Sequence, residues 1–213
     1  EAEFGFNKSS LGLFFSDLIK QTVLMLMIGA PLLWGAFWLM DSTGTYWWLY
    51  LWGAWIGFTL LMMWAYPAFI APLFNKFSPL EDESLKSRVE GLLTRCGFKS
   101  QGIFVMDGSR RSGHGNAYFT GLGGNKRIVF FDTLLKTLNE EQIEAVLAHE
   151  LGHFRRKHVI KNMAVMAVLS LISLGLLGWV VSEPWFYVGL GVTTQSSAMA
   201  LVLFMLVIPV FGF

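Results

Sequence analysis

Charged residues are spread very unevenly along the chain. None falls between Gln21 and Met40, none between Tyr46 and Tyr66, and none between Asn162 and Val181. After Glu183 the chain is uncharged to Phe213. Runs of about 20 apolar residues match a hydrocarbon layer about 30 Å thick at about 1.5 Å of helix per residue. A soluble core could hide one such helix, but not three or four in a chain of this length. The pattern predicts membrane spans near 18–40, 46–66 and 162–181. A fourth, shorter run near 198–213 contains Pro209, and "TTQSS" (193–197) reads as a loop.

A different kind of polypeptide lies between Tyr66 and Asn162. It mixes periods of 3.6 and 2, the signature of an α/β segment. "SPLEDESLKSRVEGLLTRCG" predicts a helix. Ser78 and Glu81 form its capping box, Pro79 is its first residue, and Gly97 follows its end. Strands are predicted at "IFVM" (103–106), "AYFTGL" (117–122) and "RIVFF" (127–131), the last two joined by a turn at Gly123–Gly124–Asn125. Asn139 and Gln142 form a second capping box. From there helical pattern runs without proline to Pro184, so one helix is expected to continue into the third span.

Composition sharpens this picture. The chain has 213 residues, is 54% hydrophobic and only 15% charged, with mean hydropathy +0.52. Its net charge of +1 gives no reason to expect a nucleic-acid partner. Fourteen of the 16 Lys and Arg lie in 67–161, and none lies in 41–66 or after Lys161. The positive-inside bias therefore predicts that 67–161 faces the cytoplasm, together with Lys8 and Lys20. The opening "EAEF" lacks the basic region of a signal peptide and is set aside as a cloning scar. With a single cysteine, Cys96, the chain has no intramolecular disulfide and no thiolate metal cluster. Any metal site must use His and carboxylates.

"AVLAHELGHFRRKH" (145–158) supplies such a site. His149 and His153 stand four apart, so on a helix both can direct a nitrogen at one ion. Glu150 is about 100° round from His149, within reach of a metal-activated water as general base. Gly152 would allow close approach of a strand or substrate. His158 sits about 140° from His153 on the helix wheel and reads as an interfacial residue rather than a ligand. The "RRK" beside it reads as a membrane anchor. His114, in a Gly-rich loop, reads either as a surface residue or as a substrate-pocket or proton-shuttling group.

Four motifs together carry a resemblance: "APLFNKFSPL" (71–80), "GSRRSGHGNAYFTGL" (108–122), "KRIVFFDTLL" (126–135) and "VLAHELGHF" (146–154). The chain resembles the type I CAAX prenyl endopeptidases, integral-membrane zinc metalloproteases. The resemblance implies His149 and His153 as ligands of one Zn2+ and Glu150 as the base. It also implies that Asn116 and Ala117 belong to an edge strand that pairs with the substrate backbone. Ser112-Gly113-His114-Gly115-Asn116-Ala117 keeps the family's Ser-x-His-Ser-Asn-Ala pattern except at Gly115.

The implied fold is an α-helical multi-span membrane protein with an inserted α/β metalloprotease segment. The expected organisation is a tail at 1–17, two spans in 18–66, a cytoplasmic zinc-protease segment at 67–161 and one or two spans in 162–213. In the family the third ligand is a glutamate beyond two further hydrophobic stretches, in a Glu-x-x-x-Asp pattern. Glu183 is the sole carboxylate after His153 and, on this topology, lies across the membrane. The chain is therefore expected to be a portion of a longer protein, with a C-terminal part supplying that ligand and this portion inactive alone. The implied activity is cleavage of prenylated C-terminal peptides near the cytoplasmic face of a bacterial inner or endoplasmic reticulum membrane. The alternatives are a membrane quality-control metalloprotease and a non-catalytic scaffold.

Overall fold

A computed structural model describes the backbone of residues 8–98, 100–120, 126–155 and 158–211, with side chains for all of these except 153–155, 158–159 and 207–211. The chain is an α-helical, multi-span membrane protein with an inserted α/β segment, as the sequence pattern predicts. Among the described residues three helices are long and apolar enough to cross a membrane: Leu11–Ser42, Gly44–Phe74 and Ile160–Val180.

Helix α1 (Leu11–Ser42) starts well before the predicted 18, inside the segment read as a tail. Ser10 begins it, its hydroxyl accepting from Leu13 N at 3.2 Å. The charges at 17 and 20 do not end the helix because both have partners. Asp17 meets Arg111 at 2.8 Å, and Lys20 Nζ donates to Leu73 O at 2.9 Å. Helix α2 (Trp47–Ala65) matches the second predicted span, but the helical path runs on through a π-turn at Tyr66–Ile70 into α3 (Ala71–Phe74). Pro67 cannot donate within a regular α-ladder, and a wider turn accommodates it there. Asn75, in extended conformation, ends the run.

The chain divides into two compact units, 1–21 with 60–159 and 22–59 with 160–213. In the first, β1 (Phe77–Pro79), β2 (Ile103–Met106), β3 (Ala117–Thr120) and β4 (Arg127–Phe131) form one sheet in the order β1-β2-β4-β3. The β2–β4 pair is parallel, and β1–β2 and β3–β4 are antiparallel. The three predicted strands are present, and the turn read at 123–125 lies outside the described residues.

The capping box read at Ser78–Glu81 is wrong. Phe77–Pro79 is strand β1, held by its ladder with β2, and Leu80 N donates to Ile103 O. Helix α4 (Glu83–Arg95) is capped instead by Asp82, whose carboxylate accepts from Ser84 N and Leu85 N at 3.0 and 3.1 Å. Its far end follows the sequence. Gly97 has φ +65°, Gly97 N donates to Thr94 O, and Phe98 N to Leu93 O, a Schellman motif.

One face of the sheet carries Ile103, Ala117, Ile128 and Phe130, which share a buried core with Leu85, Val89, Leu92 and Leu93 of α4. Ile143, Leu147 and Leu151 of α6 (Glu140–Arg155), at i, i+4 and i+8, complete it. α6 begins at the predicted second box. Asn139 N donates to Gln142 Oε1 at 3.0 Å, and Gln142 N to Asn139 Oδ1 at 2.9 Å. The short helix α5 (Asp132–Thr137) follows β4 directly.

The second unit gathers the remainder of α1 and most of α2 with α7 (His158–Val180), α8 (Pro184–Gly189) and α9 (Ser197–Phe211). Residues 156–157, where α6 was expected to run on into the third span, lie outside the described residues. Met40, Trp47, Leu177, Val180, Tyr187 and Leu203 form its core, with Tyr187 OH donating to Val181 O at 2.8 Å. Trp52 Nε1 donates to Ala167 O at 2.9 Å. Large side chains on the other faces, such as Met27 and Trp34, are exposed, as lipid-facing residues would be.

Candidate active site

His149 and Glu150 lie near the C-terminal end of α6, whose core stripe is Ile143, Leu147 and Leu151. His149 is two residues past Leu147, about 200° round the helix, and it is exposed. Glu150 is half-buried. His153 stands one turn beyond His149 on the same helix, its side chain outside the described residues, as is that of His158 at the start of α7. Val146 precedes His149 by three positions and Glu150 by four, so all three share one side of α6.

Of the three, Val146 alone lines a groove with the Gly-rich loop; His149 and Glu150 are not among its lining residues. This groove of about 410 Å3 is lined by His114, Asn116 and Ala117 from the loop and β3, by Leu134 and Leu138, and by Val146. β3 packs against α6 and is the last strand of the sheet, so its outer edge is open among the described residues. Phe131 N donates to Asn116 O at 2.9 Å. In an antiparallel ladder the pairing alternates, so the main-chain groups of Ala117 and Phe119 turn away from β4, toward the open edge. Asn116 Oδ1 accepts from Ala117 N at 2.8 Å, occupying one of those outward donors.

The start of α5 holds both ends of this loop, a role that unaided sequence reading missed. Asp132 Oδ1 accepts from Ser109 N at 2.8 Å, and Oδ2 accepts from the Ser109 hydroxyl. Burial by itself would raise the Asp132 carboxyl. The Ser109 hydroxyl and amide, with Lys136 at 3.1 Å, outweigh it and hold the group below its usual value. Buried Thr133 donates from its hydroxyl to His114 O at 2.8 Å. Gly115, the departure from the family pattern, presses on α5. A Cβ there would lie 3.1 Å from Leu134 Cα. Arg111 fixes the loop from the other direction, with 2.8 and 3.1 Å bonds to the Asp17 carboxylate and a 2.9 Å bond to Asn75 Oδ1. His114 is exposed at the groove. The only hint of the clamp in the sequence is that Ser109, Arg111 and Asp132 lie inside the quoted motifs.

Among the described residues no three His, Cys, Asp or Glu side chains cluster as a complete metal site. Glu183 lies in the second unit, just before α8.

A model of the CAAX prenyl protease N-terminal region, described as having five membrane helices, matches residues 1–76, and one of peptidase family M48 matches 79–210. The chain belongs to the CAAX prenyl protease group of peptidase family M48. It is 45% identical over 170 residues to CAAX prenyl protease 1 of Saccharomyces cerevisiae, covering 79% of this chain and 37% of that protein. To the Arabidopsis thaliana CAAX prenyl protease 1 homolog it is 38% identical over 205 residues, 96% of this chain and 48% of the relative. The crystal structure of S. mikatae Ste24p is similar with a TM-score of 0.89 at 36% identity, over 99% of this chain and 53% of that one. The chain thus spans about half the length of several curated relatives it matches. Membership of a metallopeptidase family implies a metal, and the donor types on α6 suit one: His149 and His153, one helical turn apart in sequence.

Proposed function

We propose that the chain carries the metal-binding helix and substrate edge of a membrane-embedded zinc endopeptidase that cleaves C-terminal CAAX-type prenylated peptides. The observation that carries this reading is a groove that joins His114, Asn116 and Ala117 to Val146, the α6 residue one turn before His149 and Glu150. His149 and His153 would hold the zinc, which when bound acts as a Lewis acid on the scissile carbonyl. An extended peptide would add to β3, meeting the outward groups of Ala117 and Phe119. Asn116 Oδ1 now sits on Ala117 N as a substrate carbonyl would. Glu150, half-buried and one turn beyond Val146, would take a proton from the attacking water and pass it to the departing amine. His114 would line the same groove and meet the peptide there.

The basic residues confined to 67–161 support a cytoplasmic position for this segment. Cys96 is exposed and is the chain's single cysteine, so it reports orientation directly. A membrane-impermeant maleimide is expected to label it only after cells are permeabilised, and labelling of intact cells would invert the topology. The activity is tested with the complete protein on farnesylated and unprenylated versions of one CAAX peptide. Cleavage of the farnesylated peptide, abolished by a chelator and restored by zinc, is the expected result. Equal cleavage of both peptides would point to a quality-control protease, and no cleavage of either to a scaffold.

A further inference from the structure

The sheet has a second face, which the catalytic reading leaves unused. Tyr118, Thr120, Arg127, Val129 and Phe104 alternate with the core residues, so they point away from α4 and α6. They line a cavity of about 510 Å3, closed on its other side by Tyr66, Pro67, Pro72 and Phe77. That volume is in the range of ordinary ligand sites, and the lining is mixed: aromatic rings and prolines, three hydroxyls and two cations.

Two features give the cavity a chemical preference. Its outer wall is the end of the Gly44–Phe74 helix, which is long and apolar enough to cross a membrane. Trp64, Tyr66, Phe69 and Leu73 on those last turns are exposed, the composition of a membrane–water interface. The second feature is charge. Lys86, Arg88, Arg95, Arg110, Arg111 and Lys136 all sit in ion pairs. Both Lys76 and Arg127 line this cavity, and among the described residues neither side chain is in an ion pair, although the Asp107 carboxylate accepts from the Lys76 amide at 2.7 Å. Arg127 is held with its guanidinium 5.5 Å from the Phe104 ring centre. Two cationic side chains outside any ion pair, lining an aromatic, half-apolar hollow at the end of a membrane helix, suit a phosphate head carrying an apolar tail.

We propose that this cavity binds an anionic phospholipid, its phosphate on Lys76 and Arg127 and its glycerol and first acyl carbons among Tyr66, Pro67, Phe77 and Tyr118. The site lies across the sheet from α6 and is independent of the catalytic reading. A lipid seated there would tie the end of the second membrane helix to the sheet that presents β3.

Native mass spectrometry of the purified protein, released from neutral detergent, tests this directly. It is titrated in parallel with dioleoyl-phosphatidylglycerol, dioleoyl-phosphatidylcholine and inorganic phosphate. The expected result is one retained phosphatidylglycerol per chain, at least tenfold tighter than phosphatidylcholine. The Lys76→Gln/Arg127→Gln variant should bind it about thirtyfold more weakly, while Lys86→Gln should bind normally. If the double variant does not fold, Lys76→Gln alone, at an exposed position, should weaken binding about fivefold. Equal binding by wild type and the Lys76 variants would overturn the proposal, as would equal retention of the two lipids. Binding of inorganic phosphate in competition with the lipid would show an anion site without lipid specificity and would overturn it too.

Discussion

Replacing Asp132 tests whether the loop that presents Asn116 and Ala117 is held from α5. Asp132 receives the Ser109 amide at 2.8 Å and the Ser109 hydroxyl, and it pairs with Lys136 at 3.1 Å. A hydrogen bond to a charged group contributes about 1.5–3 kcal/mol net. The Lys136 side chain is 70% exposed, so that pair adds less than about 0.5 kcal/mol. The two Ser109 bonds share one carboxylate and are not fully additive, so Asp132→Ala should cost about 2–4 kcal/mol. Asp132→Asn, which keeps one acceptor oxygen, should cost about 1–2 kcal/mol. The effect should concentrate in residues 107–117, read by hydrogen exchange of peptides covering that loop, with faster exchange in the order Ala, Asn, wild type. The pH dependence follows from the lowered carboxyl. A folded value below the unfolded one gives stability that is complete above the unfolded value and is lost as pH falls through the folded one. Wild-type loop protection should therefore stay flat from pH 7 to about 5 and fall below about 4, while the Ala variant lacks that acid-sensitive component. Equal exchange in 107–117 for wild type and Asp132→Ala would refute the clamp.

Other contacts give further expectations. Gly115→Ala forces a Cβ to 3.1 Å from Leu134 Cα and should lower thermal stability by about 1–3 kcal/mol, seen as a lower Tm. Arg111→Ala removes the bidentate bond to Asp17 and the bond to Asn75, at a cost of about 2–4 kcal/mol in chemical denaturation. Arg111→Lys should recover only part, because Lys cannot make the forked contact. Asn139→Ala breaks the reciprocal cap of α6 and should cost about 1 kcal/mol, which unchanged stability would contradict. Gly178→Ala places a Cβ 2.5 Å from Trp48 Cδ1 and should destabilise the α2–α7 packing, lowering Tm in detergent.

Local chemistry made much of this legible. The spans were readable because lipid-facing helices need unbroken apolar runs, and the Asn139–Gln142 box and the Gly97 terminus because caps are short-range. The start of α4 was misread because Ser78-Pro79-x-Glu81 and Asp82 are both plausible caps. Only the long-range ladder of Phe77–Pro79 with β2 decides between them. The extra turns of α1 were hidden because Asp17 and Lys20 look like a boundary until Arg111 and Leu73 O, distant in sequence, supply their partners. For the candidate site, spacing alone proposes His149, Glu150 and His153, and the fold adds only that the first two share a side of α6 with Val146. The support of the 108–117 loop by Asp132 and Thr133 joins segments about 20 residues apart and has no local signature.

The central claim is that α6 carries the metal and the base of a peptidase. Its most direct test is Glu150→Gln in the complete protein, with zinc content and cleavage of a farnesylated CAAX peptide measured on the same preparation. Gln keeps the shape of the side chain and removes its basicity. The account predicts zinc equal to wild type and a fall in kcat of about a hundredfold to ten-thousandfold. Zinc retained with cleavage within a few-fold of wild type would contradict it.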